Sequence, residues 1–237
     1  MQSVVRMVYP PQCLSCDAFT EEDFALCSDC WAETTFIAGA ICNLCGVPLM
    51  GEGTPDLCCD ACMTLERPWK AGRAALLYSG IGRKLVLSLK HGDRLDLAAP
   101  AARWMLSSGR DLLNSNMVVV PVPSHWSRRI SRRYNQAAVL AQEVARQSGL
   151  TYHPRALIRP KRTRMLDGHS RDARFAALDG AIEAHLAYGA VVAGQSVLLV
   201  DDVMTSGATL AVATKALQDA GAEDVCILTL ARVASPP

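Results

Sequence analysis

After residue 68, the apolar residues fall into short runs that are separated by longer amphipathic stretches. The run at 197–200 (Val-Leu-Leu-Val) is typical of a strand that is buried on both faces of a parallel sheet. Similar patterns predict strands at residues 73–78, 117–120 and 225–230. Helices are predicted between these strands, at residues 81–91, 93–107, 131–147 and 207–220. Strands that alternate with helices predict an α/β domain with a mostly parallel sheet flanked by helices.

The cysteines concentrate at the other end of the chain. Nine of the ten lie between residues 13 and 62, and eight of these form Cys-x-x-Cys pairs, with Cys58 as an extra neighbour: Cys13/Cys16, Cys27/Cys30, Cys42/Cys45 and Cys59/Cys62. Two such turns supply the tetrahedral set of sulfurs that zinc prefers. We therefore predict two structural zinc sites, with the first two pairs at one and the last two at the other, and the spacing leaves an interleaved arrangement open. Disulfides are the alternative, but they need an oxidising compartment, and the sequence shows no export signal.

These patterns divide the chain into a small cysteine-rich domain at residues 1–68 and an α/β domain at residues 69–237. With 50% hydrophobic and 20% charged residues, the composition is that of a globular protein. No apolar run approaches the ~18–20 residues that cross a bilayer, so we expect no membrane insertion. The N-terminus lacks the apolar core of a signal peptide, which makes the cytoplasm the expected location.

The clearest candidate binding site lies where the strand at 197–200 ends. Two adjacent acids, Asp201 and Asp202, are followed by a loop of small and hydroxylic residues that opens into a helix: Thr205, Ser206, Gly207, Ala208 and Thr209. Backbone N–H groups at a helix N-terminus form a cradle for phosphate, and Gly207 lets the chain approach it closely. Two carboxylates beside a phosphate need hydroxyl groups or a metal ion opposite them. A ribose 5-phosphate meets both demands, with its 2- and 3-hydroxyls on the acids and its phosphate in the loop.

This segment resembles the phosphoribosyl pyrophosphate (PRPP) signature of type I phosphoribosyltransferases. The whole chain resembles the ComF family, in which a zinc-ribbon head is joined to such a domain. Other family-like features are Leu89-Lys90-His91-Gly92, Val120-Pro121-Val122-Pro123, Arg132-Arg-Tyr-Asn-Gln-Ala137, Thr163 and Arg174. The resemblance implies a type I phosphoribosyltransferase-like sheet at residues 69–237, a double zinc ribbon at residues 1–68, and a site for PRPP and Mg²⁺.

The resemblance also implies roles for individual residues. Pro121, Val122 and Pro123 would form the pyrophosphate loop, and Lys90 and Arg132 would supply cations to the phosphates. Asp201, Asp202 and Lys90 are the implied catalytic residues, and for Lys90 an ordinary helix-end cation is the alternative. Catalysis would consist mostly of positioning and of neutralising the leaving pyrophosphate, with Mg²⁺ carrying part of that charge.

The net charge of +1 conceals two blocks of opposite sign. Residues 1–62 hold one basic residue against nine acidic ones, whereas residues 121–164 hold ten basic residues against one acidic residue. Half of these cations lie close together: Arg155, Arg159, Lys161, Arg162 and Arg164. This basic segment is a candidate lid over the PRPP site or a track for single-stranded DNA, and a solvated loop is the alternative. The acidic zinc head is a candidate to dock on it.

By resemblance, the chain is a PRPP-binding protein that acts in natural transformation, where single-stranded DNA enters and is handled in the cytoplasm. Other competence proteins are the implied partners. A non-catalytic PRPP sensor or DNA-binding accessory protein is the main alternative. Salvage of a free nucleobase is a weaker one, because we find no carboxylate placed to handle a base nitrogen.

Overall fold

The computed structural model describes residues 9–51, 57–91, 94–125, 134–160 and 180–234. The described strands are β1 (Ala71–Leu77), β2 (Met117–Pro121), β3 (Thr151–Tyr152), β4 (Leu157–Ile158), β5 (Glu183–Ala184), β6 (Ser196–Met204) and β7 (Asp224–Arg232). Five of them form one sheet in the order β1-β7-β6-β2-β3, with every pairing parallel. The strands β4 and β5 form a separate antiparallel pair. The predicted α/β sheet is therefore confirmed.

The described α-helices are α1 (Ser28–Glu33), α2 (Asp60–Thr64), α3 (Gly80–His91), α4 (Ala98–Ser108), α5 (Gln136–Ser148) and α6 (Ala208–Asp219). The last four match predicted helices, and α5 ends at Gly149, whose positive φ of 75° is the usual conformation after a helix. The helix predicted at 93–107 is wrong at its start, where a 3₁₀ turn at Leu95–Leu97 precedes α4. Pro100 consequently lies in the first turn of α4, where a missing N–H costs nothing.

The central strands are longer than their apolar runs. The strand β6 extends from Ser196 to Met204, so that Asp201 and Asp202 belong to the strand itself rather than to the loop after it. Parallel pairing with β7 continues to Met204, which lies opposite Arg232. The backbone ladder therefore carries the strand past the end of its hydrophobic segment.

Alternate side chains of the sheet enter two separate hydrophobic cores. Leu198, Val200 and Leu228 pack with α3, α4 and α5 on one face. Val197 and Leu199 pack with α6 on the other face. Because both faces are covered, β6 is apolar at every position from 197 to 200, as the sequence pattern predicts.

The cysteine-rich head is attached to the edge strand β1. Residues 9–30 supply Cys13, Leu14, Leu26 and Cys30 to the core that contains α3, α4 and α5. Residues 42–69 supply Cys42, Cys45, Cys62 and Trp69 to the opposite core. The two halves of the head thus lie on opposite faces of the sheet, and each enlarges one of its cores.

Backbone hydrogen bonds fix this attachment. The Ile37 N–H donates to the Ala75 carbonyl at 2.9 Å, and the Gly72 N–H donates to the Asn43 carbonyl at 2.8 Å. A Cβ on Gly72 would lie 2.6 Å from the Leu44 carbonyl oxygen, so glycine is needed for the close approach. Within the described ranges, backbone pairing and apolar packing along β1 therefore both contribute to the attachment.

The described part of the basic segment lies elsewhere. Arg155 and Arg159 follow β3, the strand at the opposite edge of the sheet from β1. The described head is thus docked on β1 and not on these two arginines, contrary to the electrostatic prediction. Lys161, Arg162 and Arg164 lie outside the described residues. Among the described helices, we find none with the length and apolar character to span a bilayer.

Candidate functional site and metal centres

Two groups of four cysteines each have the geometry of a metal centre. Cys13, Cys16, Cys27 and Cys30 form one group, and Cys42, Cys45, Cys59 and Cys62 form the other, with all sulfurs of a group within 4.8 Å of one another. A tetrahedral ion with Zn–S bonds of about 2.3 Å requires sulfurs about 3.8 Å apart. The Sγ atoms of Cys16 and Cys27 are 3.6 Å apart, and those of Cys45 and Cys59 are 3.7 Å apart. Both groups therefore fit zinc.

Local structure brings the sulfurs together in the same way at both centres. In each, the second Cys-x-x-Cys pair starts a short helix, with Cys27 capping α1 and Cys59 capping α2. Hydrogen bonds with Cys45 and Cys62 hold the pKa of the Cys42 thiol far below its usual range, so the second centre favours a thiolate. The same hydrogen bonds raise the pKa of Cys45 to about 11 and also raise that of Cys62, so a zinc ion must displace protons from these two sulfurs.

The grouping settles the pairing that the spacing left open. Successive Cys-x-x-Cys pairs share a centre, and the interleaved arrangement is wrong. None of the ten cysteines, all of which are in described ranges, forms a disulfide. Cys58 belongs to neither group of four sulfurs. Cys226 is buried in β7, as expected for a core thiol.

A polar cavity of about 190 Å³ lies at the carboxyl ends of β6 and β2. It brings together predicted site residues from four separate parts of the chain: Lys90, Val122, Pro123, Arg159, Asp201, Asp202 and Thr209. The start of α5 also lines it, through Tyr134, Asn135, Gln136 and Ala137. In parallel α/β sheets, this end of the strands is where ligands bind.

The two aspartates sit side by side and differ in environment. The Asp202 N–H donates to Asp201 Oδ1 at 2.9 Å. Burial, together with the neighbouring charge of Asp202, raises the pKa of Asp201 to about 7. Both side chains are partly accessible and line the cavity, so neither is enclosed in the hydrophobic core.

Lys90 is part of the cavity and is not merely a helix-end cation. It is the penultimate residue of α3, and its Nζ lies 3.1 Å from Asp202 Oδ2. Only 19% of the lysine side chain and 14% of the aspartate side chain are exposed. The cavity therefore contains a positive and a negative group side by side. An anionic ligand that binds there can replace Asp202 as the partner of Lys90.

Two other lining residues contain buried polar atoms that have no hydrogen-bond partner among the described residues. These are Ser124 Oγ and Gln136 Nε2, and Gln136 is only 5% exposed. Since leaving a polar atom buried and unpaired costs about 1–3 kcal/mol, these two atoms are candidate contacts for a bound ligand or water. Sequence reasoning missed Ser124, whose signal is only its position directly after the Pro-Val-Pro turn.

The predicted phosphate loop follows β6 and opens into α6. Of its five residues, Thr209 lines the cavity, whereas Thr205 is exposed and Ala208 is buried as the first residue of α6. Gly207 caps α6 with a φ of 82°. A Cβ there would lie 2.7 Å from Arg67 Nη1 and 3.1 Å from the Trp69 ring, so glycine is needed for packing against the head as well as for backbone shape.

The remaining predicted site residues are distributed as follows. Pro121 ends β2 and is buried, directly before the lining residues Val122 and Pro123. Arg159 lines the cavity, and its positive charge acts to lower the pKa of Asp201. Arg155 instead lies over the ring of Tyr188, at 5.0 Å. Arg132 lies outside the described residues.

Comparison with known families identifies both parts of the chain. Residues 4–63 match the double zinc ribbon domain, and residues 135–236 match the phosphoribosyl transferase domain. The fold and the site thus define a phosphoribosyltransferase-domain protein with a double zinc-ribbon head.

Full-length relatives narrow this class to one family. The chain is 30% identical over 216 residues to the DNA utilization protein YhgH of Salmonella typhi, covering 88% of this chain and 91% of the relative. It is 26% identical over 248 residues to competence protein ComFC of Bacillus subtilis, covering 93% and 94%. It is also 26% identical over 212 residues to competence protein F of Haemophilus influenzae, covering 87% and 90%. The chain belongs to this family, the ComF family.

The metal centres predict a defined zinc content. We expect two zinc ions per purified chain, measured by inductively coupled plasma mass spectrometry, and one in the Cys59→Ser variant, which loses a ligand of the second centre. The adjacent Cys58→Ser variant is the matched control and keeps both ions. Loss of an ion from Cys58→Ser but not from Cys59→Ser would contradict the assignment of ligands.

The raised pKa of Asp201 predicts a pH-dependent stability. Because the folded state holds this pKa near 7, the neutral acid stabilises the protein at low pH, and the stabilisation is lost as the pH rises through 7. Asp201→Asn should therefore raise the melting temperature relative to wild type more at about pH 8 than at about pH 6, by a few degrees, since about 1 kcal/mol corresponds to ~2–4 °C.

Differential scanning fluorimetry with zinc present measures this difference. The control is Asp224→Asn, which removes an exposed acid that pairs with Lys70 at 2.7 Å. It should change the melting temperature equally at both pH values. An equal change at both pH values for Asp201→Asn would show that the cavity does not perturb this group.

Proposed function

We propose that the cavity binds PRPP together with Mg²⁺, and that the protein uses this site in the uptake and handling of single-stranded DNA. The observation that carries the first part is the pair of carboxylates, Asp201 and Asp202, at the carboxyl end of a buried strand, beside a lysine and two unpartnered polar atoms. A sugar diol donates hydrogen bonds to carboxylates, and a phosphate accepts them from cations and amides.

The placement of charge in the cavity supports PRPP over a neutral sugar. Lys90 and Arg159 stand on the same cavity as the aspartates, so both signs of charge are available to one ligand. The ribose hydroxyls of PRPP would bind the aspartates, and its 5-phosphate would bind the loop at 205–209, where the first N–H groups of α6 are not used within the helix. Ser124 and Gln136 would then supply polar contacts that protein groups leave unmet.

The chemistry proposed for this arrangement is the departure of pyrophosphate from the anomeric carbon. Lys90 would neutralise the leaving group, and the aspartates would hold the ribose ring in one orientation while positive charge develops on it. Mg²⁺, when bound, would neutralise further phosphate charge, and Asp201 and Asp202 are the carboxylates of the cavity that could hold it directly or through water. The side chains named here bind and orient, and no acid–base step is assigned to them.

Binding of PRPP is tested by isothermal titration calorimetry with and without Mg²⁺. We expect binding in the presence of Mg²⁺, and a loss of at least about tenfold in affinity in the Asp201→Asn/Asp202→Asn double variant, because an amide is a weaker acceptor for the diol and cannot neutralise Mg²⁺. Asp224→Asn, an acid outside the cavity, is the matched control and should bind as the wild type does.

Absence of heat from the wild type in every condition would overturn the proposed PRPP site. Once binding is established, release of pyrophosphate on incubation with candidate acceptors separates a transferase from a non-catalytic PRPP sensor. A transferase releases pyrophosphate only with its acceptor present, whereas a sensor binds PRPP and leaves it intact.

The role in DNA handling rests on the relatives and on one surface. The relatives carry the names DNA utilization protein and competence protein. On this chain, Arg155 and Tyr188 are exposed and His185 is partly buried beside them, with the His185 and Tyr188 rings 4.7 Å apart at an angle of 52° and the arginine over the tyrosine. An arginine beside an exposed aromatic ring is a usual platform for unpaired bases. Sequence reasoning found the cation but missed both rings, which are about thirty residues away.

This surface predicts salt-sensitive binding of single-stranded DNA. We expect the affinity, measured by fluorescence anisotropy with an unstructured oligonucleotide, to fall steeply with salt, because phosphate contacts release counterions. Arg155→Gln combined with Tyr188→Ala should weaken binding about tenfold or more. The control is Arg146→Gln, an exposed arginine of α5 that pairs with Glu143. Equal binding by both variants would exclude this surface as the DNA site.

A further inference from the structure

Arg67 connects the second metal centre to the loop after β6. Its Nη1 donates to the Ser206 carbonyl at 2.7 Å, and its guanidinium lies 5.1 Å from the centre of the Trp69 ring. The same side chain hydrogen-bonds Cys62, a ligand of the second centre. Although charged, Arg67 is only 8% exposed.

Arg232 makes an equivalent connection from the other side. It is the last residue of β7, and its Nη1 donates to the carbonyls of Met204 at 3.2 Å and Thr205 at 2.8 Å. Its Nη2 lies 3.8 Å from the Sγ of Cys45, another ligand of the second centre. It is 7% exposed. Two buried arginines therefore contact both a zinc ligand and the backbone of residues 204–206.

Charge explains why these cations are stable in the interior. A zinc ion with four thiolates carries a net charge of −2, and two guanidinium groups carry +2. Burying a charge is costly unless it is paired, so the metal centre and the arginines stabilise each other. Each arginine also donates from Nη1 to backbone carbonyls of residues 204–206, whereas the Nε of both is buried without a hydrogen-bond partner among the described residues.

We propose that Arg67 and Arg232 are positioning residues that hold the loop at 205–207 in its phosphate-binding shape and thereby couple the second zinc centre to the PRPP site. This proposal rests on the proposed function for its ligand, but the coupling itself concerns the protein alone. Gly207 is part of the same arrangement, because a Cβ at this position would displace Arg67. The first zinc centre is on the opposite face of the sheet and has no such contact among the described residues.

Hydrogen–deuterium exchange of the ligand-free, zinc-loaded protein tests the coupling. In Arg67→Met we expect the peptide that covers residues 205–209 to exchange at least about threefold faster, because the loop loses its anchor, while β6 residues 197–200 stay protected. Affinity for PRPP with Mg²⁺ should fall about tenfold. Arg67→Lys retains the charge and one donor, and should restore part of both properties.

The matched control is Arg73→Met. Arg73 lies on β1, is nearly buried, and donates to the Asn43 carbonyl of the head at 2.9 Å, but it does not contact the loop. The Arg73→Met substitution weakens the attachment of the head but removes no hydrogen bond to the loop. Exchange at 205–209 should therefore stay as in the wild type. Arg232→Met is a second test of the same loop, and zinc content is measured for every variant.

The outcomes separate this proposal from the proposed function. Unchanged exchange at 205–209 in Arg67→Met, with both zinc ions present, would overturn the coupling even where PRPP binds the wild type. If Arg67→Met and Arg73→Met each exchanged faster at 205–209, the coupling would also be overturned. A general loosening of the head would then explain both results. Faster exchange in Arg67→Met alone supports the coupling, and a wild type that binds no PRPP would then overturn only the function.

Discussion

The central position of β6 in an all-parallel sheet is the constraint on which the site depends. Neighbouring strands occupy both of its edges and helices cover both of its faces, so polar groups can be placed only beyond its apolar run. Asp201 and Asp202 occupy that end. Because β2 runs in the same direction, its end delivers Val122, Pro123 and Ser124 to the same place. The topology thus assembles one cavity from segments that are about eighty residues apart in sequence.

The zinc head covers the edge of the sheet at β1. The strand β1 is an edge, and an uncovered edge exposes unpaired backbone groups. Short pieces of the head pair with β1 and place one metal centre on each face, so that each centre becomes the outer part of a hydrophobic core. The head has few large apolar residues, and zinc bound at its two four-cysteine groups would supply the free energy that its own core lacks. Head and sheet are consequently one packed structure.

The sequence predicts those features whose cause is local. Apolar runs located the long strands, and the cysteine spacing indicated both metal centres. The two-residue strands β3, β4 and β5 are too short to show a period, and their existence depends on tertiary pairing. Arg67 and Arg232 were missed for the same reason, since nothing in their sequence neighbourhood distinguishes a buried arginine from an exposed one. Their role follows from the sulfur atoms and carbonyls that the fold brings to them.

The electrostatic interactions that join the head to the sheet are contacts between buried groups. They are not an attraction between the acidic and basic segments of the sequence. The acidic composition of the head predicts docking on the basic segment, whereas the described head meets β1 through backbone hydrogen bonds and apolar side chains. The charges that are neutralised at the interface are those of the second metal centre, and the cations that neutralise them are two buried arginines. A surface ion pair contributes little, but a buried cation must have a partner. The requirement that these arginines be paired therefore links the geometry of the zinc centre to that of the loop, whichever ligand the loop binds.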